Sequence, residues 1–216
     1  MAWLSDPEDK QVLQKIHECM GMYYAKLSGQ VRETNSGFSV CFQDVKESID
    51  WKILSHIVEL SHPHVQDIFV FWNNEKTLSI NIELYSTKNL SQATYPVYSP
   101  AVSIPMELRE SLAENGFDIR HAPSDWSSIY TQIEALCALI YSRGSDINVP
   151  QISITAEANQ PTWVEIGNMD SISYSFLEHL SSNVLVKEII AQPINNALWF
   201  EISTAESTTF HPRHAK

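Results

Sequence analysis

The cleanest pattern of apolar and polar positions lies just before Tyr85. There Leu78, Ile80, Ile82 and Leu84 alternate with Ser79, Asn81 and Glu83, the period-two spacing of a strand with one buried face. Phe38, Val40 and Phe42 alternate in the same way with Ser39, Cys41 and Gln43, which predicts a second half-buried strand. Ile68 to Trp72 is instead a continuous apolar run rich in aromatic and β-branched residues, and predicts a strand covered on both faces. Asn73-Asn74-Glu75-Lys76 supplies the turn between that strand and the next.

Helical spacing governs other stretches. Leu13, Ile16, Met20, Tyr23 and Leu27 recur at intervals of three and four and predict a helix over residues 7–28. Pro7 suits its first turn, and Glu8 and Asp9 suit the positive end of its dipole. That stripe either docks on the chain's own core or pairs with a second copy as a homo-oligomer. Asp50 is placed to cap a short helix lined by Leu54, Ile57, Val58 and Leu60, and Pro63 stops it.

The stretch 50–85 has a counterpart. Sliding it forward by 120 residues without a gap sets Asp50 on Asp170, Ser55 on Ser175, Leu60-Ser61 on Leu180-Ser181, Leu78 on Leu198 and Ile82 on Ile202. Both windows read as capped helix, apolar run, polar break and alternating strand. The second is expected to hold a helix from Asp170 to Leu180 and strands near 184–191 and 197–203, after strands near 151–156 and 162–166. Between the copies, residues 86–105 carry Tyr95, Val97, Tyr98 and Val102 and predict a packed crossover. Helices are expected over 106–115 and 124–143, closed by Gly116 and Gly144.

The predicted fold class is therefore α+β, an antiparallel sheet built from two similar helix-strand-strand units with additional helices packed against it. Residues 1–205 form one pseudo-duplicated domain, with units at 36–85 and 151–205 joined by 86–144. The tail 206–216 has no periodicity and is expected to be disordered.

Charge narrows the partners. The 216 residues carry a net charge of -12 with pI near 5.0, so a basic face able to displace counterions from nucleic acid, or to sit on an anionic membrane, is not expected. No run is long enough to span a bilayer and no basic segment precedes an apolar stretch at the start, so neither membrane nor secretion is expected. Cys19, Cys41 and Cys137 are an odd, widely spaced set in apolar settings, as for reduced thiols in the cytoplasm or nucleus. Between Arg143 and Lys187 there is no Lys or Arg, while Asp146, Glu157, Glu165, Asp170 and Glu178 all fall inside. That stretch is either a solvated face or a docking surface for a basic partner, with Asp146, Glu157 and Glu165 as its partner-binding residues.

Catalytic chemistry has one candidate. His56, His62 and His64 lie close together, and His-x-His on an extended segment can present two imidazoles to one metal with a third from the helix end. The competing explanation is a polar helix-to-strand loop, since the second window has Ser182, Asn183 and Val184 there. No nucleotide-binding loop, nucleophile elbow or His-Glu-x-x-His pattern occurs. Neither Cys41 nor Cys137 has a neighbouring His in sequence to activate it.

Helix, hairpin, then Tyr95-Pro96-x-x-x-Pro100 resembles the YPxxxP turn of RWD and ubiquitin-conjugating-variant domains over residues 65–104. No His-Pro-Asn follows with a cysteine, so the resemblance implies a protein-docking module and not a conjugating enzyme. The expected function is that of a non-enzymatic intracellular subunit or adaptor acting through protein–protein contacts, with no cofactor. The alternatives are a metal-assisted hydrolase using His56, His62 and His64, and the RWD-like docking module.

Overall fold

The structure is a computed structural model that describes residues 4–25, 27–73, 76–94, 151–155, 162–167, 169–183 and 186–202. The fold is α+β, with antiparallel sheets and a few helices. The described residues fall into two compact units. Unit 1 holds those of Met1–Val97 with Asp170–Leu177 and Ala191–Asn196; unit 2 holds those of Tyr98–Met169, Glu178–Ile190 and Ala197–Lys216.

Unit 1 opens with helix α1, Pro7–Tyr23. The Asp6 side chain caps it, accepting from the Glu8 N–H at 2.9 Å, so the proline falls where its missing donor costs nothing. The helix ends five residues before the predicted limit of 28. Val12, Leu13, Ile16, Cys19 and Met20 are buried, but Tyr23 is exposed, so the apolar stripe closes at Met20.

Strands β1 (Gly29–Glu33) and β2 (Gly37–Val45) follow, then the two-residue β3 (Ile49–Asp50), helix α2 (Trp51–Ser61), β4 (Val65–Asn73) and β5 (Thr77–Tyr85). Asp50 caps α2 as predicted, accepting from the Lys52 N–H at 2.9 Å. The sheet runs β1-β2-β5-β4-β8, where β8 is the later segment Ser171–Ser173, and its described pairings are antiparallel. Phe42, Ile80 and Val70 lie in one cross-strand row, and Val40, Ile82 and Ile68 in the next, all six buried. The predicted alternation of β5 holds for its apolar members, while Ser79 is also buried and donated to by Asn73 Nδ2 at 2.9 Å.

One expectation fails on β4. Ile68, Val70 and Trp72 are buried, Phe69 is half-buried and Phe71 is exposed, so the strand has one core face and not two. A run of five apolar letters does not distinguish these cases, because both faces carry aromatic rings.

Unit 2 contains β6 (Gln151–Thr155), β7 (Thr162–Gly167) and β10 (Ala197–Ile202), with β7 paired to both neighbours in antiparallel register. Strand β9 (Val186–Gln192) lies beyond β10 in the same sheet. Val164, Ile166, Leu198 and Phe200 form the buried face.

The second window has the predicted order, with helix α3 (Tyr174–Asn183) ahead of β9 and β10. Strands β9 and β10 begin 121 and 120 residues after β4 and β5 (65 to 186, 77 to 197), but α3 begins 123 after α2 (51 to 174). Asp170 is therefore not the cap of this helix, contrary to expectation; it precedes β8, and its carbonyl accepts from the Trp72 N–H at 3.0 Å. Asp67 of β4 takes the capping role, accepting from the Ser175 N–H at 3.1 Å and from the Ser175 hydroxyl. The crossover beyond Thr94, the helices expected over 106–115 and 124–143, Tyr95 to Pro100 and the tail lie outside the described residues.

Candidate interaction surface

The three histidines of the proposed metal site occupy unlike settings. His56, half-buried on α2, has Nδ1 at 3.3 Å from the Tyr23 hydroxyl and 3.9 Å from Cys19 Sγ, with its ring edge-on to Tyr23. His62 is the exposed residue after α2, and the peptide to Pro63 is cis. His64 is buried, with Nδ1 at 3.0 Å from the Tyr85 carbonyl. A carbonyl only accepts, so Nδ1 carries the proton in this contact. Glu8 and Asp9 carboxylates stand 3.8 Å from the ring. Asp9 in turn accepts from the Thr87 N–H at 2.8 Å and hydroxyl at 2.7 Å. This network ties the start of α1 to the end of β5. Among the described residues no group of three His, Cys, Asp or Glu is arranged to hold a metal ion.

The described thiols are free. Cys19 is fully buried, and burial pushes its pKa up, away from the thiolate that a nucleophile needs. Burial likewise raises Cys41, against a smaller opposing pull from Arg32 and the Gln43 side chain. Cys137 lies outside the described residues.

Of the acidic residues singled out from sequence, Asp146 and Glu157 lie outside the described residues and Glu165 is on β7. Its surroundings are distinctive. The β7–β10 register sets Glu165 opposite Trp199 and Trp163 opposite Glu201, so two indoles and two carboxylates alternate as a two-by-two square on the non-core face. The indoles meet edge-to-face with centroids 6.4 Å apart. Lys187 Nζ reaches Glu201 Oε1 at 2.7 Å. Glu165 is half-buried and makes no hydrogen bond or ion pair with the described residues.

Trp163, Trp199, Glu201 and Lys187 went unnoticed in the sequence, although a signal exists. Trp163-Val164-Glu165 and Trp199-Phe200-Glu201 write Trp-x-Glu twice, on two segments both predicted as strands. Period two puts each Trp and Glu on one face; only the register brings the pairs together.

A second exposed feature lies in unit 1. Strand β1 is an edge strand, missed from sequence because Val31 is its one aliphatic residue. The Thr34 N–H donates to the Gly37 carbonyl at 3.1 Å. Antiparallel alternation then makes Glu33, Val31 and Gly29 the residues whose backbone groups point away from β2, toward the edge left unpaired among the described residues. Six residues before β1 begins, α1 ends in Met22 and Tyr23, which are 70% and 46% exposed.

No family model, curated protein or solved structure matches this chain. Among the described residues no helix is long and apolar enough to cross a membrane.

Proposed function

We propose that this chain is a non-enzymatic adaptor or complex subunit that works through contacts with other proteins in the cytoplasm or nucleus. The observations that carry the proposal are the outer position of β1, whose far edge is unpaired among the described residues, and the exposed Met22 and Tyr23 at the end of α1. An open edge offers main-chain donors and acceptors to an added strand, and exposed apolar side chains of the same unit offer a partner further area to bury. The acidic stretch 144–186 adds a charge preference for a basic partner. The free thiols of Cys19 and Cys41 accord with a reducing compartment.

Val31→Pro tests this cleanly. The Val31 N–H points away from β2, so proline removes an edge donor without breaking a ladder bond. Affinity capture from the native source is run with the parent chain and the variant in parallel. The expected result is one or more proteins held by the parent and lost by the variant, with melting temperatures within a few degrees. Equal recovery by both would exclude the β1 edge as the docking surface, and no specific protein with either would overturn the adaptor proposal.

A further inference from the structure

We infer that the Trp163–Glu165–Trp199 face of unit 2 receives an arginine side chain from a protein partner. The inference rests on the adaptor proposal above and adds which side chain is recognised and where. Its starting point is the asymmetry of the square. The two carboxylates have the same neighbours in kind, a Trp directly across the strand pair and a Trp two residues along the same strand. Glu201 already holds a cation, the Lys187 ammonium at 2.7 Å. Glu165 holds none among the described residues. Of two carboxylates with the same tryptophan neighbours, the buried Glu201 is paired with Lys187, and the half-buried Glu165 has no cation among the described residues.

The chemistry of the position selects that group. Glu165 is half-buried, so part of its hydration is lost with no donor among the described residues in return, and an incoming cation with N–H donors restores what water no longer supplies. Each indole presents a negative π face, which attracts a cation that water has partly released. Arginine satisfies both at once. Its planar guanidinium stacks on an indole while its fork of N–H groups reaches a carboxylate, whereas an ammonium is more strongly hydrated and has no plane to stack. The net charge of -12 favours approach of such a partner from a distance.

The test uses the intact chain labelled with 15N at its six tryptophans, whose indole N–H signals are resolved individually. Trp163→Phe and Trp199→Phe assign the two relevant signals. The probe is a capped pentapeptide alternating glycine and arginine, with its lysine and glutamine counterparts. The arginine peptide is expected to move the Trp163 and Trp199 signals selectively, the lysine peptide to bind more weakly, and the glutamine peptide to do neither. Glu165→Gln, which leaves the Lys187–Glu201 pair in place, is expected to weaken arginine binding about tenfold. Unmoved signals, equal response to the glutamine peptide, or an unchanged Kd in Glu165→Gln would each overturn the site. Failure here with Val31→Pro still releasing a partner removes the arginine site alone. Arginine binding through Glu165 with no protein ever captured removes the adaptor proposal and leaves a cation site.

Discussion

His17 lies on α1 with its ring edge-on to Phe42, centroids 5.4 Å apart, and over Gly29, where a Cβ would come within 2.6 Å of His17 Cε1. Glycine at 29 is thus the consequence of the ring, which needs the space a side chain would take. Burial lowers the His17 pKa from its ordinary 6.5. The folded chain therefore declines a proton that the unfolded chain accepts, and stability falls as pH drops from above 6.5 toward the lowered folded value. Glu83 works in the opposite sense. Burial, with the Asp67 charge across the strand pair, raises its pKa from 4.5, so stability is gained as pH falls through its raised value. Thermal melts of the parent and His17→Gln at about pH 7 and about pH 5.5 separate the two. The variant is expected to lose less melting temperature over that interval, whatever the packing change does to its absolute value. An identical loss in both would show that His17 does not titrate differently on folding.

At the scale of elements, local rules were legible where partners are close in sequence. Asp50 caps α2 two residues ahead of the N–H it serves, and β2 and β5 announced themselves because their buried faces alternate with polar residues. What sequence hid is non-local. Helix α3 is capped by Asp67, 108 residues earlier, and the nearer Asp170 drew the assignment instead. Strand β1 pairs through its backbone with little apolar pattern to betray it. The Trp–Glu square needed the β7–β10 register, which no spacing rule provides.

The two caps also predict different costs. Asp50 is partly exposed and serves one described N–H, whereas Asp67 is buried and serves the Ser175 N–H and hydroxyl and the Ile68 N–H at 2.8 Å. Asp50→Ala is expected to cost about 1 kcal/mol. Asp67→Ala is expected to cost about 3 kcal/mol, offset in part by relief of the like charge on Glu83. Urea unfolding of both variants checks the order, and a Ser175→Ala double-mutant cycle with Asp67→Ala isolates the coupling. Equal costs, or no coupling, would mean that Asp67 is not holding the start of α3.

At the scale of the whole chain, unit 1 is not a contiguous stretch. Residues near 170–177 and 191–196, far along the sequence, complete a unit begun by the first 97. Strand β8 covers the edge of β4 with Phe69 opposite Ser173 and Phe71 opposite Ser171. The Trp72 indole N–H donates to the Gln192 carbonyl at 2.7 Å, and the Ser48 hydroxyl to Gln192 Oε1 at 3.0 Å. The buried Asp67 finds Ser175 there as well. A fragment of residues 1–97 alone would therefore expose the β4 edge, with Phe71 beside it. It would also strand the Trp72 donor and remove the Ser175 partners of a buried carboxylate, each a cost of about 1 to 3 kcal/mol. The fragment is expected to be soluble only at low concentration and to melt well below the intact chain. A synthetic peptide of residues 168–196, added in excess, is expected to raise its melting temperature in a concentration-dependent way, because the peptide binds only the folded form. The same peptide with Ser175→Ala and Gln192→Pro should do so less, since it withdraws the hydroxyl from Asp67 and perturbs the strand end whose carbonyl Trp72 uses. If residues 1–97 melt like the intact chain, or if the peptide changes nothing, the later segments decorate a unit that is already complete, and the strand pairing they add contributes nothing to its stability.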